Sequence, residues 1–159
     1  MSTMVLYFVL NLFNTADYFR LVYELVDYPM PVRKAYARAL VCADIHKKSI
    51  EIKIDPSIPL AVGWLESTYV DKKGKPVTNR SGRTMRAEGP LQVLKYYHCR
   101  KNPNCDTTKT GIKLMKSLIK KYGEKKGLAI YAGGYENSKS LRYARMALRL
   151  RKKIKKLGY

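Results

Sequence analysis

The stretch Ile58-Pro59-Leu60-Ala61-Val62-Gly63-Trp64-Leu65-Glu66-Ser67-Thr68-Tyr69 decides how this chain is read. Of the eight residues before Glu66, seven are apolar or aromatic and the other is Gly63. A run of this kind is a buried segment, so the carboxylate that ends it stands at the edge of a dry interior. Burial disfavours the charged form and raises a carboxyl pKa, which is what a general acid working near neutral pH requires. Pro56 and Pro59 suit the start of a helix, and Asp55 and Ser57 are both candidate caps just ahead of it. The stretch therefore predicts a buried helix with Glu66 on its last turns, facing a cleft. The plainer reading makes Glu66 a boundary residue where the solvated surface begins.

Working outward towards the N-terminus, apolar and aromatic residues are dense over 5–25, with Asn14 or Thr15 as a cap or break before Ala16. Segment 5–13 reads as a core helix, with an interfacial helix as the alternative. It is short, interrupted by Asn11 and without a basic leader, so neither a secretory signal peptide nor a membrane span is expected. A turn at Asp27-Tyr28-Pro29-Met30-Pro31 leads to a second helix over 31–48. There Ala35, Ala39, Cys42 and Ile45 recur at helical spacing, which makes Cys42 a core residue. His46, followed by two lysines, reads as a surface histidine.

Beyond Glu66 the composition changes abruptly. Residues 71–86 hold Asp-Lys-Lys-Gly-Lys-Pro and Asn-Arg-Ser-Gly-Arg, strong turn signals that predict a loop or a small β-hairpin. This insertion carries six basic residues: Lys72, Lys73, Lys75, Arg80, Arg83 and Arg86. Glu88-Gly89-Pro90-Leu91-Gln92-Val93 follows, then Tyr96 and Tyr97, then a turn-forming loop between Cys99 and Cys105. Thr107 or Thr108 can cap a helix over 109–122, with Ile112, Met115, Ile119 and Tyr122 as its apolar stripe. Gly123 and Gly127 bracket its end, and 128–131 is a short apolar segment running into Gly133-Gly134. The last helix, over 139–157, places Tyr143, Ala147, Leu150, Ile154 and Leu157 on one face and basic residues on much of the rest. The fold class is mainly α, a single domain over 1–159. N-terminal helices (1–44) precede the motif region (45–150), and a basic C-terminal helix (139–157) closes it.

With 32 Lys and Arg against 12 Asp and Glu, the net charge is +20, so the surface should seek polyanions: nucleic acid, anionic membrane or acidic wall polymers. Composition alone favours nucleic acid. At 46% hydrophobic residues the chain is globular rather than disordered, and it is long enough for a core without metal or disulfide staples. Three cysteines are too few for a disulfide framework. A zinc reading of His98, Cys99 and Cys105 lacks a clean fourth ligand, and a Cys99–Cys105 disulfide in an oxidising compartment stands beside it. Neither metal nor cofactor is expected.

Three short elements now fall in order: Glu66-Ser67 after a buried helix, Gly89-Pro90-Leu91-Gln92 after a turn-rich segment, and Ile130-Tyr131-Ala132-Gly133-Gly134 before a final helix. In this the sequence resembles the lysozyme-like lytic transglycosylases, kin to goose-type lysozyme. Those carry Glu-Ser, Gly-Leu-Met-Gln and Ala-Tyr-Asn-Ala-Gly in the same order. The resemblance covers 45–150 and includes Ile54-Asp55-Pro56 ahead of the apolar helix. It implies a lysozyme-like fold, with Glu66 as catalytic acid/base and Ser67 orienting the substrate or the glutamate. Gly89, Leu91 and Gln92 would line the sugar cleft, and Tyr131 would position Glu66. Gly134 and Tyr143 would support the site. Pro90 and Leu91 replace the family's Leu and Met, and both can still build an apolar cleft wall. Ala132 stands where the family has Asn, with Asn137 as a candidate substitute.

The chemistry implied is cleavage of the MurNAc–GlcNAc β-1,4 bond of peptidoglycan. Glu66 protonates the glycosidic oxygen and then acts as base towards the sugar's own 6-hydroxyl, which leaves a 1,6-anhydromuramoyl end. A muramidase that activates water instead needs a second carboxylate, for which Asp71 and Glu88 are the candidates, though both also read as charge-pairing residues. Trp64 and Tyr69 are core residues or sugar-stacking rings. The expected partners are peptidoglycan strands and, through the basic surface, anionic wall or outer-membrane polymers. The protein would act as a monomer, made in a phage-infected bacterial cytoplasm or carried in a virion. A basic nucleic-acid-binding module with a purely structural Glu66 is the reading from another class.

Overall fold

Helix α3 (Ser57–Ser67) is buried almost all round, with every residue from Ser57 to Gly63 inaccessible. A helix with no polar face needs cover on several sides, and here α2 (Val32–Ile52) and α7 (Ser138–Lys156) supply it. The computed structural model describes residues 16–26, 29–78, 81–100, 102 and 104–159. It is mainly α-helical: seven helices and a small three-stranded antiparallel sheet among the described residues. Helix α1 covers 16–25. The sheet comprises β1 (Lys73–Thr78), β2 (Thr84–Glu88) and β3 (Val93–Leu94), in the order β1-β2-β3. Between it and α7 come α4 (Lys95–His98), α5 (Thr107–Tyr122) and α6 (Glu124–Gly133).

The core runs through the helices. Leu21, Val22, Ala35, Ala39, Cys42, Ile45, Leu60, Val62, Ile112, Met115, Leu128, Ala144 and Ile154 are all sealed within one cluster. Leu91 and Val93 bring the far edge of the sheet into the same cluster. By contrast β1 is exposed along nearly its whole length. The sheet is thus a basic flap hinged on the helical core by its third strand.

Several boundaries differ from the sequence reading. The expected helix over 5–13 and its Asn14 or Thr15 break lie outside the described residues. Helix α2 continues past residue 48 to Ile52, stopping where Lys53 turns left-handed at φ 59. Of the two candidate caps before α3, Asp55 accepts from the Ser57 backbone N–H at 3.1 Å, whereas Ser57 is already helical. Helix α5 is capped by Asp106, whose side chain accepts from the Lys109 N–H at 2.9 Å; Thr107 and Thr108 lie inside the helix.

Gly123 ends α5 as expected, but Gly127 sits within α6, and 128–131 belongs to that helix. A Cβ at Gly127 would come 2.8 Å from the backbone of Leu118 and Ile119. That glycine marks close helix approach rather than a helix end. The insertion resolves to a hairpin, β1 against β2, with Pro76 opposite Arg86 and Thr78 opposite Thr84.

Candidate active site

Helix α3 ends by a left-handed turn of two residues, Thr68 (φ 54) and Tyr69 (φ 59). Neither is glycine, so the turn is held against its own preference. Ser67 Oγ donates to the Gly63 carbonyl at 3.0 Å and accepts the Val70 N–H at 3.1 Å. Ser67 is therefore spent on the backbone and buried; it orients the end of the helix, not a substrate. Gly63 makes room for the returning chain, since a Cβ there would meet Ile45 Cδ1 at 2.9 Å and the Tyr69 ring at 3.2 Å. Tyr69 is fully buried and Trp64 packs edge-on against it at 5.4 Å, so Tyr69 belongs to the core and the partly buried Trp64 leans on it.

Glu66, in the last turn of α3, is met by α7: the Tyr143 hydroxyl donates to Glu66 Oε1 at 2.6 Å. The carboxyl is held above its usual value. Burial is the main cause, and the Tyr143 hydrogen bond and Lys72 ammonium oppose it without cancelling it. Tyr143 itself is driven far up, by burial first and then by the Glu66 charge, so it stays a neutral donor. The positioning role expected of Tyr131 thus falls to Tyr143. Tyr131 instead donates to the Leu91 carbonyl at 2.7 Å. It is still close enough that the Glu66 charge, after burial, lifts its phenol pKa.

That bond ties α6 to the Gly89–Gln92 turn. Gly89 takes φ +79, and a Cβ there would collide with Thr107 Oγ1. Gln92 is left-handed too (φ 50), and its amide donates to the Gly89 carbonyl at 2.8 Å and the Lys72 carbonyl at 3.1 Å. In this arrangement Gln92 fastens the turn to the segment before β1. Leu91 is fully buried, so only Pro90 of the expected apolar wall faces the cleft. Gly111 of α5 allows the close contact, because a Cβ there would stand 3.0 Å from Leu91, Tyr131 Oη and Val93 alike. Gly134 is the left-handed cap of α6 at φ +73.

A cleft of about 540 Å³ opens beside this constellation, lined by Asp71, Lys72, Glu88, Gly89, Pro90 and Thr107 among others. Glu66 is not in its lining; Lys72 links the two, facing the cleft while its charge acts on Glu66. Both candidate second carboxylates are on this cleft. Asp71 is exposed, and Glu88 is bound to Lys95 at 3.1 Å, the charge-pairing role anticipated for it.

Other sequence candidates fall elsewhere. Asn137 caps α7: its side chain accepts the Ser140 N–H at 2.9 Å and Ser140 Oγ accepts from the Asn137 N–H at 2.9 Å, so it does not replace the missing amide at Ala132. Cys99 and Cys105 are joined as a disulfide, so neither sulfur is a free metal ligand. Cys42 is a free, buried thiol. His46 is half-buried against Tyr18 at 5.6 Å rather than a free surface residue, and burial lowers its pKa.

Lys72 is the functional neighbour that sequence reasoning missed as an individual residue. Nothing distinguishes it from five other basic residues in the same insertion except its place nearest Glu66 in the chain. Comparison with protein-family models, with curated proteins and with solved structures gives no match to this chain.

Proposed function

We propose that this protein is a lytic transglycosylase of lysozyme-like type that cleaves the MurNAc–GlcNAc β-1,4 bond of peptidoglycan, as a bacteriophage lysin. The observation that carries this reading is Glu66: a desolvated carboxyl with raised pKa, oriented by Tyr143 at 2.6 Å, at the end of a buried helix. A raised pKa keeps the acid protonated further up the pH scale, where it can deliver its proton to the glycosidic oxygen as positive charge develops on the sugar. The Glu66 carboxylate left behind then accepts the proton of the muramoyl 6-hydroxyl as that oxygen bonds to C1, and a 1,6-anhydro ring closes. Of the two carboxylates that could activate water, Glu88 is engaged by Lys95, which supports this route over hydrolysis.

Mass spectrometry of the fragments released from purified peptidoglycan tests the proposal, with wild type beside Glu66→Gln. Anhydromuropeptides from wild type alone are expected. Reducing-end muropeptides would make the enzyme a muramidase with Asp71 as its remaining water-activating candidate. No fragments from either protein on several wall types would overturn the assignment and favour the nucleic-acid-binding reading that the +20 charge supports.

A further inference from the structure

The one disulfide among the described residues joins Cys99, just after α4, to Cys105, just before α5. We propose that this bond is a redox latch on the cleft. Closed, it holds the wall built by α4 and the hairpin; opened by a thiol reductant, it releases that wall while the helical core stays folded.

The bond lies outside the core. Cys99 is buried, yet neither it nor Cys105 belongs to the cluster that seals the long helices together. Opening the disulfide therefore leaves the apolar interior as it is. On the α5 side the chain is well anchored: Asp106 caps the helix, and Lys48 of α2 reaches both Asp106 and Asp44 at 2.7 Å. On the other side α4 packs on β2 and β3 of the flap. Lys95 pairs with Glu88 at 3.1 Å, and the Arg83 guanidinium stands 4.6 Å from the centre of the Tyr96 ring. Partly exposed contacts of this kind stabilise only a little. The disulfide thus passes the anchorage of α5 to a four-residue helix and, through Lys95 and Tyr96, to the hairpin. Glu88, Lys95 and Cys105 all line the larger cleft, so what the bond steadies is the cleft wall.

The arrangement also favours one exchange route. Cys105 is part-exposed on the cleft and Cys99 is buried, so an incoming thiolate attacks Cys105 Sγ. The S–S bond breaks, and Cys99 leaves as a thiolate that takes up a proton. The second thiol of a dithiol reductant then displaces Cys105. Two electrons pass to the cystine and the reductant becomes a disulfide. A disulfide-bearing exchange partner runs the same steps backwards. Cys42 is sealed in the core, so the pair re-forms without a competing thiol. A protein built this way has a loose cleft in a thiol-reducing compartment and a firm one in an oxidising compartment.

The test is amide hydrogen exchange of the full chain with and without dithiothreitol. Reduction should speed exchange over 84–100 at least about tenfold, the effect of losing a loop-closing cross-link, and leave 32–52, 57–67 and 138–156 unchanged. Oxidised glutathione should restore the slow exchange. The double variant Cys99→Ser, Cys105→Ser should match the reduced protein and ignore dithiothreitol. Release of wall fragments should fall roughly tenfold on reduction, through a misplaced wall, and recover on re-oxidation. This last arm rests on the peptidoglycan reading; the exchange arm does not.

Unchanged exchange on reduction overturns the latch. So does acceleration spread evenly over α2, α3 and α7, which would make the bond a staple of the whole fold. Equal wall cleavage in both redox states would overturn its control of activity. No fragments in either state, with the exchange response intact, would remove the peptidoglycan reading and retain the latch. Both redox states are wild type, so the outcome does not depend on a variant folding.

Discussion

Helix α3 carries a carboxylate at each end, and the two have opposite fates. Asp55, just before its first turn, feels burial too. Hydrogen bonds from Lys155, Ser57 and Arg151 together outweigh that, and its carboxyl is held well below the usual range. Arg151 and Lys155 both stand 2.8 Å from Asp55 Oδ2, and Arg151 also reaches Glu124 at 2.6 Å, so the ion cluster joins the starts of α3 and α6 to α7. Glu66, at the far end, meets one neutral hydroxyl and a more distant ammonium, and its carboxyl is held high. Removal from water acts on both ends. Two things separate them: Glu66 is buried much more deeply, and only Asp55 has full positive charges in contact, which makes one end a clamp and leaves the other a reservoir for a proton.

The contrast sets opposite signs for stability against pH. The depressed Asp55 contributes stability that is present above the unfolded carboxyl pKa and lost as pH falls through its folded value. The raised Glu66 does the reverse: its contribution is present below the unfolded pKa and lost as pH rises through the folded one.

The largest expected effect follows directly. Glu66→Gln should lower wall-cleaving activity by at least about a hundredfold, the scale of a lost general acid. It should also raise stability as pH climbs above the unfolded carboxyl range, where the wild-type carboxyl loses its contribution and the amide, which can still accept from Tyr143, does not. A fall in stability in denaturant titration would mean that Glu66 is charged and paired in the fold, and the contrast between the two ends would collapse.

Asp55→Asn comes next, with a loss of about 1–2 kcal/mol at pH 7 after allowing for solvent screening of a partly exposed cluster. That loss should fade as the pH falls through the acid range, where wild type loses the same contribution. A loss that persists at low pH would assign Asp55 a packing role instead of an electrostatic one.

Tyr143→Phe sharpens the other end. Its hydroxyl favours the charged form of Glu66, so removing it should move the alkaline limb of the pH–activity profile upward, with activity at the optimum reduced up to about tenfold through looser positioning. A downward shift would reverse the balance described above. Lys72→Gln should move the same limb in the same direction by less. Because Lys72 is exposed, salt at about 0.1 M and above should shrink the difference between it and wild type. A salt-independent effect would point to direct contact of Lys72 with substrate.

Much of the helical frame was legible in the chain. Ala35, Ala39, Cys42 and Ile45 show their helical spacing openly, and all four are sealed in the core. The start of α6 was hidden because Lys125 and Lys126 fill its first turn and Gly127 imitates a stop. That glycine answers to the backbone of α5, a partner no local pattern reveals. The same limit applies within the site. Glu66 was marked by the apolar run before it, whereas the exchange of roles between Tyr131 and Tyr143 depends on α7 packing against α3 and on α6 reaching the Leu91 turn.

The sequence by itself determined that the chain is mainly helical, that a basic insertion interrupts it, and that one glutamate ends its most apolar helix. These are properties of composition and period, which act over a few residues. Only the tertiary structure decided which tyrosine meets that glutamate, and that Asn137 and Ser67 are occupied with backbone. Hydrogen-bond partners and dielectric surroundings are set by groups far apart in the chain: Glu66 and Tyr143 meet across three intervening helices and a sheet. A pKa follows the sum of those surroundings, so it takes its value only once the chain has closed around it.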